Sequence, residues 1–361
     1  MKVCVPITSR AAWGRLEPVV RALDSECKVQ IVLASSATLE RYGNVGEEIA
    51  KDWSIAFTCR SGAAGDTPGA MAVETGLLMT ELVGAFDLLR PDFVLAHADR
   101  YETLAVAAAA AYMNIPLGHT QGGERTGSID DKVRDAVSML ADYHYPCTTK
   151  AAERLLAMDC ENVTVTGCSS IDGIANLPEL ADTYINTYGH GAHIDFDEPF
   201  MLACLHPDTT DEWGSIKTLE ATVDALQDYQ TIWLQPNIDA YGQHMTKKLN
   251  QECGERARVV KHLPVKAFYS LMNHCSCMVG NSSAAIREGS YMGVPAVVVG
   301  SRQAHREVGR NVIVLEYSET LEGDIRQAIE GQICHSGYPR EYLYGDGHAA
   351  EHIATAILGS V

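Results

Sequence analysis

No run of the 361 residues approaches the ~20 consecutive apolar residues a membrane-spanning helix needs. The opening MKVCVPITSR sets one lysine before a short apolar run that Arg10 breaks, so no signal peptide is expected. Positive charge is scarce: 28 Lys and Arg stand against 47 Asp and Glu, a formal charge of -19. That imbalance, spread along the chain, argues against a phosphate-tracking nucleic-acid binder and against a protein that sits on anionic lipid. Any anionic ligand must then be held by a few placed cations, hydroxyls and helix ends. Large aromatics are few, with 6 Phe and 4 Trp, and the 11 Cys form no CxxC pair. Cys4, Cys204, Cys275 and Cys277 lie in or beside apolar strand-like runs, and an odd total suits buried reduced thiols better than a disulfide framework. A cytoplasmic setting is expected. Also missing are solenoid-type repeats, a Gly-Lys-Ser/Thr phosphate loop, and a GxGxxG fingerprint after the first strand, which disfavours a nicotinamide cofactor.

What is present is alternation. Short β-branched runs are separated by longer amphipathic segments, the pattern of a parallel sheet covered by helices on both faces. Strands are predicted at 3–8, 29–34, 93–98, 116–120, 144–147 and 163–167, and helices at 13–23, 70–89, 102–113, 131–141 and 151–158. The pattern fails over 176–198, where Pro, Gly, Asn and acids mix without a period, and restarts with strands at 200–205, 231–234, 258–262, 277–279, 296–299 and 312–315. The expectation is an α/β protein of two Rossmann-like doubly wound domains with an interdomain cleft: an N-terminal domain over 1–175, a linker over 176–198 and a second domain over 199–345. The tail, 346–361, is expected to be a helix packing back on the N-terminal domain.

Ligands of open α/β sheets sit beyond the carboxyl ends of the strands, and here strand after strand ends in polar residues. Asn281-Ser282-Ser283 puts hydroxyls and free N–H groups between an apolar strand and a helix, which suits an anion, although either serine can equally be a plain N-cap. Arg10 and Arg302 can fork onto phosphate oxygens. Asp99, Gln121 and Asp130, with Arg100 and Arg134 close in sequence, form a second group able to serve proton transfer, although Asp130-Asp131 can also simply start a helix. His206 ends an apolar strand before a proline, where its titration range suits a proton donor or phosphate partner. His190 and His193 have metal-like spacing but lie in the irregular boundary without an acidic or cysteine partner at ligand spacing, and no metal site is expected.

Together these residues resemble the hydrolysing UDP-N-acetylglucosamine 2-epimerases, both the bacterial sialic-acid enzymes and the epimerase half of the animal bifunctional epimerase/kinase. The likeness runs from Cys4 to Gly347 and rests on SRAAWGRLEPV, DRYE, AAAYMNIPLGH, GGERTGSIDDKVRDAV, HPDTTDEWGSIK, PNIDA, KHLP, VGNSSAAIREGSYMGVPAVVVGSRQ and YGDG. It implies a glycosyltransferase-B-like fold, UDP held mainly by the second domain, no cofactor, and a homodimer or homotetramer. On that pattern Ser282 and Ser283 take the diphosphate and Glu288 the ribose. Arg10, His206 and Arg302 contact phosphate, and the backbone at His262-Leu263 meets uracil. Asp99, Asp130 and Arg134 match positions at the sugar end, and Arg100, Glu124, Asn237 and Asn281 are expected to line the substrate. The implied reaction eliminates UDP from UDP-N-acetylglucosamine to leave 2-acetamidoglucal, then adds water to give N-acetylmannosamine. Two departures stand out. Gln121 occupies the place of the family's Glu, which implies weakened turnover, a trapped variant or a role passed to Glu124 or another carboxylate. Tyr241 follows PNIDA where the animal sequence has Gly. A non-hydrolysing 2-epimerase, a catalytically silent UDP-sugar binder and a glycosyltransferase of the same fold are the alternatives.

Overall fold

The computed structural model describes every residue except 41–44, 62–64, 175–176, 178–181, 238, 262, 336 and 361, together with the side chains of 182–184. The chain divides into two compact units. Unit 1 comprises Met1–Glu124, Ile129–Gly173 and Tyr344–Val361; unit 2 comprises Arg125–Ser128 and Ile174–Leu343.

Unit 1 is built on six parallel strands, β1 Lys2–Ile7, β2 Lys28–Leu33, β3 Ile55–Thr58, β4 Phe93–His97, β5 Leu117–Thr120 and β6 Tyr143–Tyr145. Their order across the sheet is β3-β2-β1-β4-β5-β6, the dinucleotide-fold order, whose switch point falls between β1 and β4. All of β4 and five residues of β1 are buried, as expected where helices cover both faces. The helices are α1 Arg10–Asp24, α2 Val45–Ile49, α3 Pro68–Leu89, α4 Tyr101–Tyr112, α5 Asp130–Leu140 and α6 Thr149–Ala157. Ser9 caps α1, its hydroxyl accepting the Ala12 N–H at 3.1 Å, and Trp13, Leu16 and Val20 of that helix are buried.

Unit 2 opens with α7 Asp182–Thr187 and β7 His190–Gly191. It continues through β8 Met201–Cys204, α8 Glu212–Leu226, β9 Thr231–Leu234, α9 Gly242–Glu252, β10 Ala257–Val260, α10 Val265–His274, β11 Cys277–Gly280, α11 Arg287–Met292, β12 Ala296–Val299, β13 Val312–Leu315 and α12 Leu321–Ile333. The order β13-β12-β11-β8-β9-β10 repeats the dinucleotide-fold arrangement, with its switch point between β8 and β11, and β7 adds an antiparallel edge to β10. The last helix, α13 Ala349–Leu358, belongs to unit 1: Ala350, Ile353, Ala354 and Ile357 share a buried cluster with Trp13 and Leu16. Its first turn is held by the Asp172 carboxylate, which accepts the N–H groups of Ala349 at 3.1 Å and Ala350 at 2.6 Å.

The structure departs from the sequence expectations in several places. The stretch 176–198 carries α7 and β7, because buried Arg258 of β10 donates to the carbonyls of Ile185, Asn186 and Ala192 and so pins that stretch to the sheet edge. A strand was predicted at 163–167, but only Val163 bridges, to His144. The half-exposed edge strand β3 was not predicted at all.

Candidate active site

In unit 1 the switch point brings together the ends of β1 and β4. Arg134 of α5 is 1% exposed, and its guanidinium donates to the Asp99 carboxylate just past β4, to Asp131 at 2.6 Å and to the Glu124 carbonyl at 2.9 Å. Burial by itself would lower the Arg134 pKa, but Asp99, followed by Glu124 and Asp131, outweighs it and raises it. Arg134 is thus a fixed cation that holds two carboxylates in place. Asp130, a predicted site residue, opens α5, and its neighbour Asp131 pairs with Arg134. Arg100 forks onto the fully buried Glu102 at 3.0 and 3.1 Å.

Gln121 sits just past β5 with φ +62, a left-handed conformation costly for a residue with a Cβ. Its N–H donates to the Tyr145 carbonyl at 3.0 Å and its carboxamide reaches the Cys168 sulfur at 3.4 Å. Two residues earlier, fully buried His119 places Nε2 2.7 Å from the Ala98 carbonyl and Nδ1 3.0 Å from the Ser138 hydroxyl. A carbonyl only accepts, so Nε2 carries the proton, Nδ1 accepts from Ser138, and the ring ties the peptide before Asp99 to α5. Burial pushes its pKa down to about 4.

In unit 2, His206 follows β8 and Asn281 follows β11. The Asn281 carboxamide accepts the His206 N–H at 2.7 Å and donates to the His206 carbonyl at 2.8 Å, and the Asn237 N–H donates to His206 Nδ1 at 3.2 Å. Gly280 allows this approach with φ +142, since a Cβ there would run into the Cys204 carbonyl. Cys204 lies beneath, its sulfur 3.5 Å from His206 Nε2. Burial pushes that thiol up to about 12, while Arg302 and Ser282 pull the other way, so it stays neutral. A cavity of about 410 Å³ is lined by His206, Asn281, Ser301 and Arg302 among others. Arg302 also lies 3.9 Å from Asp239, which accepts from Asn237 at 2.5 Å.

Ser282 caps a 3-10 turn over Ser283–Ala285, accepting the Ala284 N–H at 3.3 Å, and α11 begins only at Arg287. The expected helix start directly after Asn281-Ser282-Ser283 is therefore a tight turn, which offers N–H groups and hydroxyls but little macrodipole. Glu288 is buried in the first turn of α11, Leu263 is buried just before α10, and Arg10 is the first residue of α1. His262 lies outside the described residues. His190 and His193 are exposed, and among the described residues no three His, Cys, Asp or Glu side chains gather as a metal would require. Among the described residues no helix is long and apolar enough to cross a membrane. Sequence reasoning missed Asp131, the tie of His119, and Cys204 beneath His206. Asp131 stands i,i+3 from Arg134, but Asp130 at i,i+4 shares that helix face, so spacing alone did not single Asp131 out.

Two doubly wound units, with polar side chains gathered past β4 and β5 in unit 1 and at the β8–β11 switch point in unit 2, define the class of two-domain, glycosyltransferase-B-like α/β proteins. Residues 21–358 match the family described as UDP-N-acetylglucosamine 2-epimerase, and the chain belongs to that family. It is 32% identical to the UDP-N,N'-diacetylbacillosamine 2-epimerase (hydrolyzing) of Legionella pneumophila, over 97% of this chain and 93% of that one. It is 27% identical to the UDP-N-acetylglucosamine 2-epimerase of Neisseria meningitidis, over 88% of this chain and 84% of that one. In fold it is similar to the Methanocaldococcus jannaschii UDP-GlcNAc 2-epimerase solved with UDP-GlcNAc and UDP, with TM-score 0.82, 16% identity and full coverage of both chains.

Proposed function

We propose that this chain is a hydrolysing 2-epimerase of UDP-N-acetylglucosamine. Its end-to-end likeness to a relative named as hydrolysing carries this choice over the non-hydrolysing type. Unit 2 would take the UDP, with His206 and Arg302 meeting phosphate oxygens and the Ser282-Ser283 turn supplying N–H groups. Unit 1 would supply the proton chemistry from Asp99, Glu124 and Asp130, with Arg134 fixing Asp99. A base removes the C2 proton as the C1–O bond to the β-phosphate breaks, and the electron pair of the C2–H bond becomes the C1=C2 double bond of 2-acetamidoglucal. Water then adds its oxygen to C1 while a proton returns to C2 from the opposite face, giving N-acetylmannosamine beside free UDP. Such a product suits synthesis of sialic-acid-type sugars.

A glutamine at 121 cannot take up that proton, so turnover is expected to be slow. Gln121→Glu should raise UDP release by orders of magnitude, and an unchanged rate would remove Gln121 from the account. The first test incubates the protein with UDP-N-acetylglucosamine in heavy water. Free sugar carrying deuterium at C2, plus UDP, marks the hydrolysing enzyme; a deuterated sugar still bound to UDP marks the non-hydrolysing one; UDP binding without turnover marks a silent binder. A second reading, that the substrate bears a second acetamido group, is favoured by the likeness to diacetylbacillosamine enzymes of Legionella pneumophila and, at 28% identity, Campylobacter jejuni. Comparing UDP release from the two sugar nucleotides separates these substrates.

A further inference from the structure

We infer that Asn281, expected from its sequence position to line the substrate, is a positioning residue for His206. The inference rests on the proposal above that His206 meets the departing diphosphate. The Asn281 carboxamide is engaged with protein at both ends: its oxygen accepts the His206 N–H at 2.7 Å and its nitrogen donates to the His206 carbonyl at 2.8 Å. Both partners have fixed polarity, so the amide has one orientation. The two bonds join residues 75 apart in the chain and extend the β8–β11 pairing by one side-chain rung at the switch point. Asn281 is itself held, its N–H donating to the Cys204 carbonyl at 3.0 Å and its carbonyl accepting from Gln303 at 3.2 Å, while the Gln303 oxygen accepts from buried Arg306 at 2.7 Å.

The consequence lies in the imidazole. With its peptide pinned, the His206 ring sits where the Asn237 N–H points at Nδ1, 3.2 Å away. A main-chain N–H only donates, so the neutral ring carries its proton on Nε2. That proton faces the Cys204 sulfur at 3.5 Å, a weak acceptor that a phosphate oxygen readily replaces. Asn281 thereby presents His206 as a donor from Nε2 and keeps Nδ1 out of proton chemistry.

The test combines two readouts on the full chain. Long-range proton–nitrogen spectra of the imidazoles, with His206 assigned by its disappearance in His206→Gln, should show the Nε2–H tautomer in the parent protein. Asn281→Ala and Asn281→Asp should instead average the two tautomers, because the aspartate can accept the His206 N–H but repels its carbonyl. By calorimetry, each single variant should bind UDP about 10- to 100-fold more weakly, the loss of one charge-assisted hydrogen bond. The double variant His206→Gln/Asn281→Ala should bind no more weakly than His206→Gln alone, within about twofold. Losses that multiply would make Asn281 a ligand in its own right and overturn the inference, as would an unaltered His206 spectrum in both Asn281 variants. Should Asn281→Ala fail to fold, Asn281→Asp supplies the same cycle. Should the parent protein bind no UDP, the functional proposal falls, and the imidazole spectra alone decide the positioning role.

Discussion

Acidification should cost the protein the neutral imidazole of His119. The ring is fully buried, and burial is the largest influence on it, lowering its pKa to about 4 from 6.5. The Ala98 carbonyl resists by accepting from Nε2, His144 and Arg134 push it further down, and Asp99 opposes them. A folded-state pKa below the unfolded one means that the unfolded chain binds the proton first. The stability His119 provides is therefore complete above about pH 6.5 and is lost as pH falls towards about 4. At ~1.36 kcal/mol per pKa unit, the gap amounts to about 3 kcal/mol.

Urea unfolding of the parent protein and of His119→Gln, between about pH 7 and about pH 4, isolates this contribution. The variant keeps a donor for the Ala98 carbonyl but cannot titrate. Asp172 works in the opposite sense in both proteins: burial pushes its carboxyl up to about 6 from 3.8, so the stability tied to its proton is present at low pH and lost as pH rises through that window. It cancels when the two pH profiles are subtracted. The parent should lose about 3 kcal/mol more than the variant over the range. Parallel profiles would refute a neutral, pinned His119.

Arg134→Met leaves Asp99 and Asp131 without their buried cation and should destabilise the protein by about 3–5 kcal/mol, read from the urea midpoint. Gly280→Ala drives a Cβ into the Cys204 carbonyl at φ +142, so it should cost about 2–4 kcal/mol in a thermal melt and weaken UDP binding by opening the β8–β11 junction. The outer face of α3 exposes Val73, Leu77 and Leu88 by 61%, 54% and 70%, the apolar stripe on which an oligomer of this chain would be expected to close. Leu77→Arg should then shift the sedimenting species to monomer, and an unchanged species would place the contact elsewhere.

Strands covered on both faces were legible because burial demands unbroken apolar runs, and β1, β4, β8 and β11 lie within a residue or two of their predicted bounds. The misses fall at sheet edges. β3 alternates intermediate and exposed residues over only four positions, and β7 is held by the carbonyl bonds of Arg258, more than sixty residues away. Val163-Thr164-Val165-Thr166 has the composition of a strand. Thr164 and Thr166 donate to β6 and to Pro146 beside it, yet Val165 is 45% exposed and only one bridge forms. In the candidate site the residue types were readable from strand ends, but their pairings were not. Asp99 meets Arg134 across 35 residues and His206 meets Asn281 across 75. Asp130 and Asp131 stand four and three residues from Arg134, and both spacings share a helix face, so periodicity could not choose between them.

Gln121 shows why the sequence left its central question open and how the structure narrows it. A departure from a family's Glu reads equally as lost chemistry or as a changed scaffold. Here the backbone at 121 is fixed by its own bond to the Tyr145 carbonyl, which does not depend on the side chain. The carboxamide meets the Cys168 sulfur at 3.4 Å, and a thiol can reverse the bond by donating to a carboxylate. Gln121→Glu therefore keeps shape, backbone and one side-chain partner while adding only charge and the capacity to take up a proton. A gain in UDP release with an unchanged melting profile would locate the deficit in proton transfer. A gain accompanied by a shifted melt would trace it to packing around the β5 end.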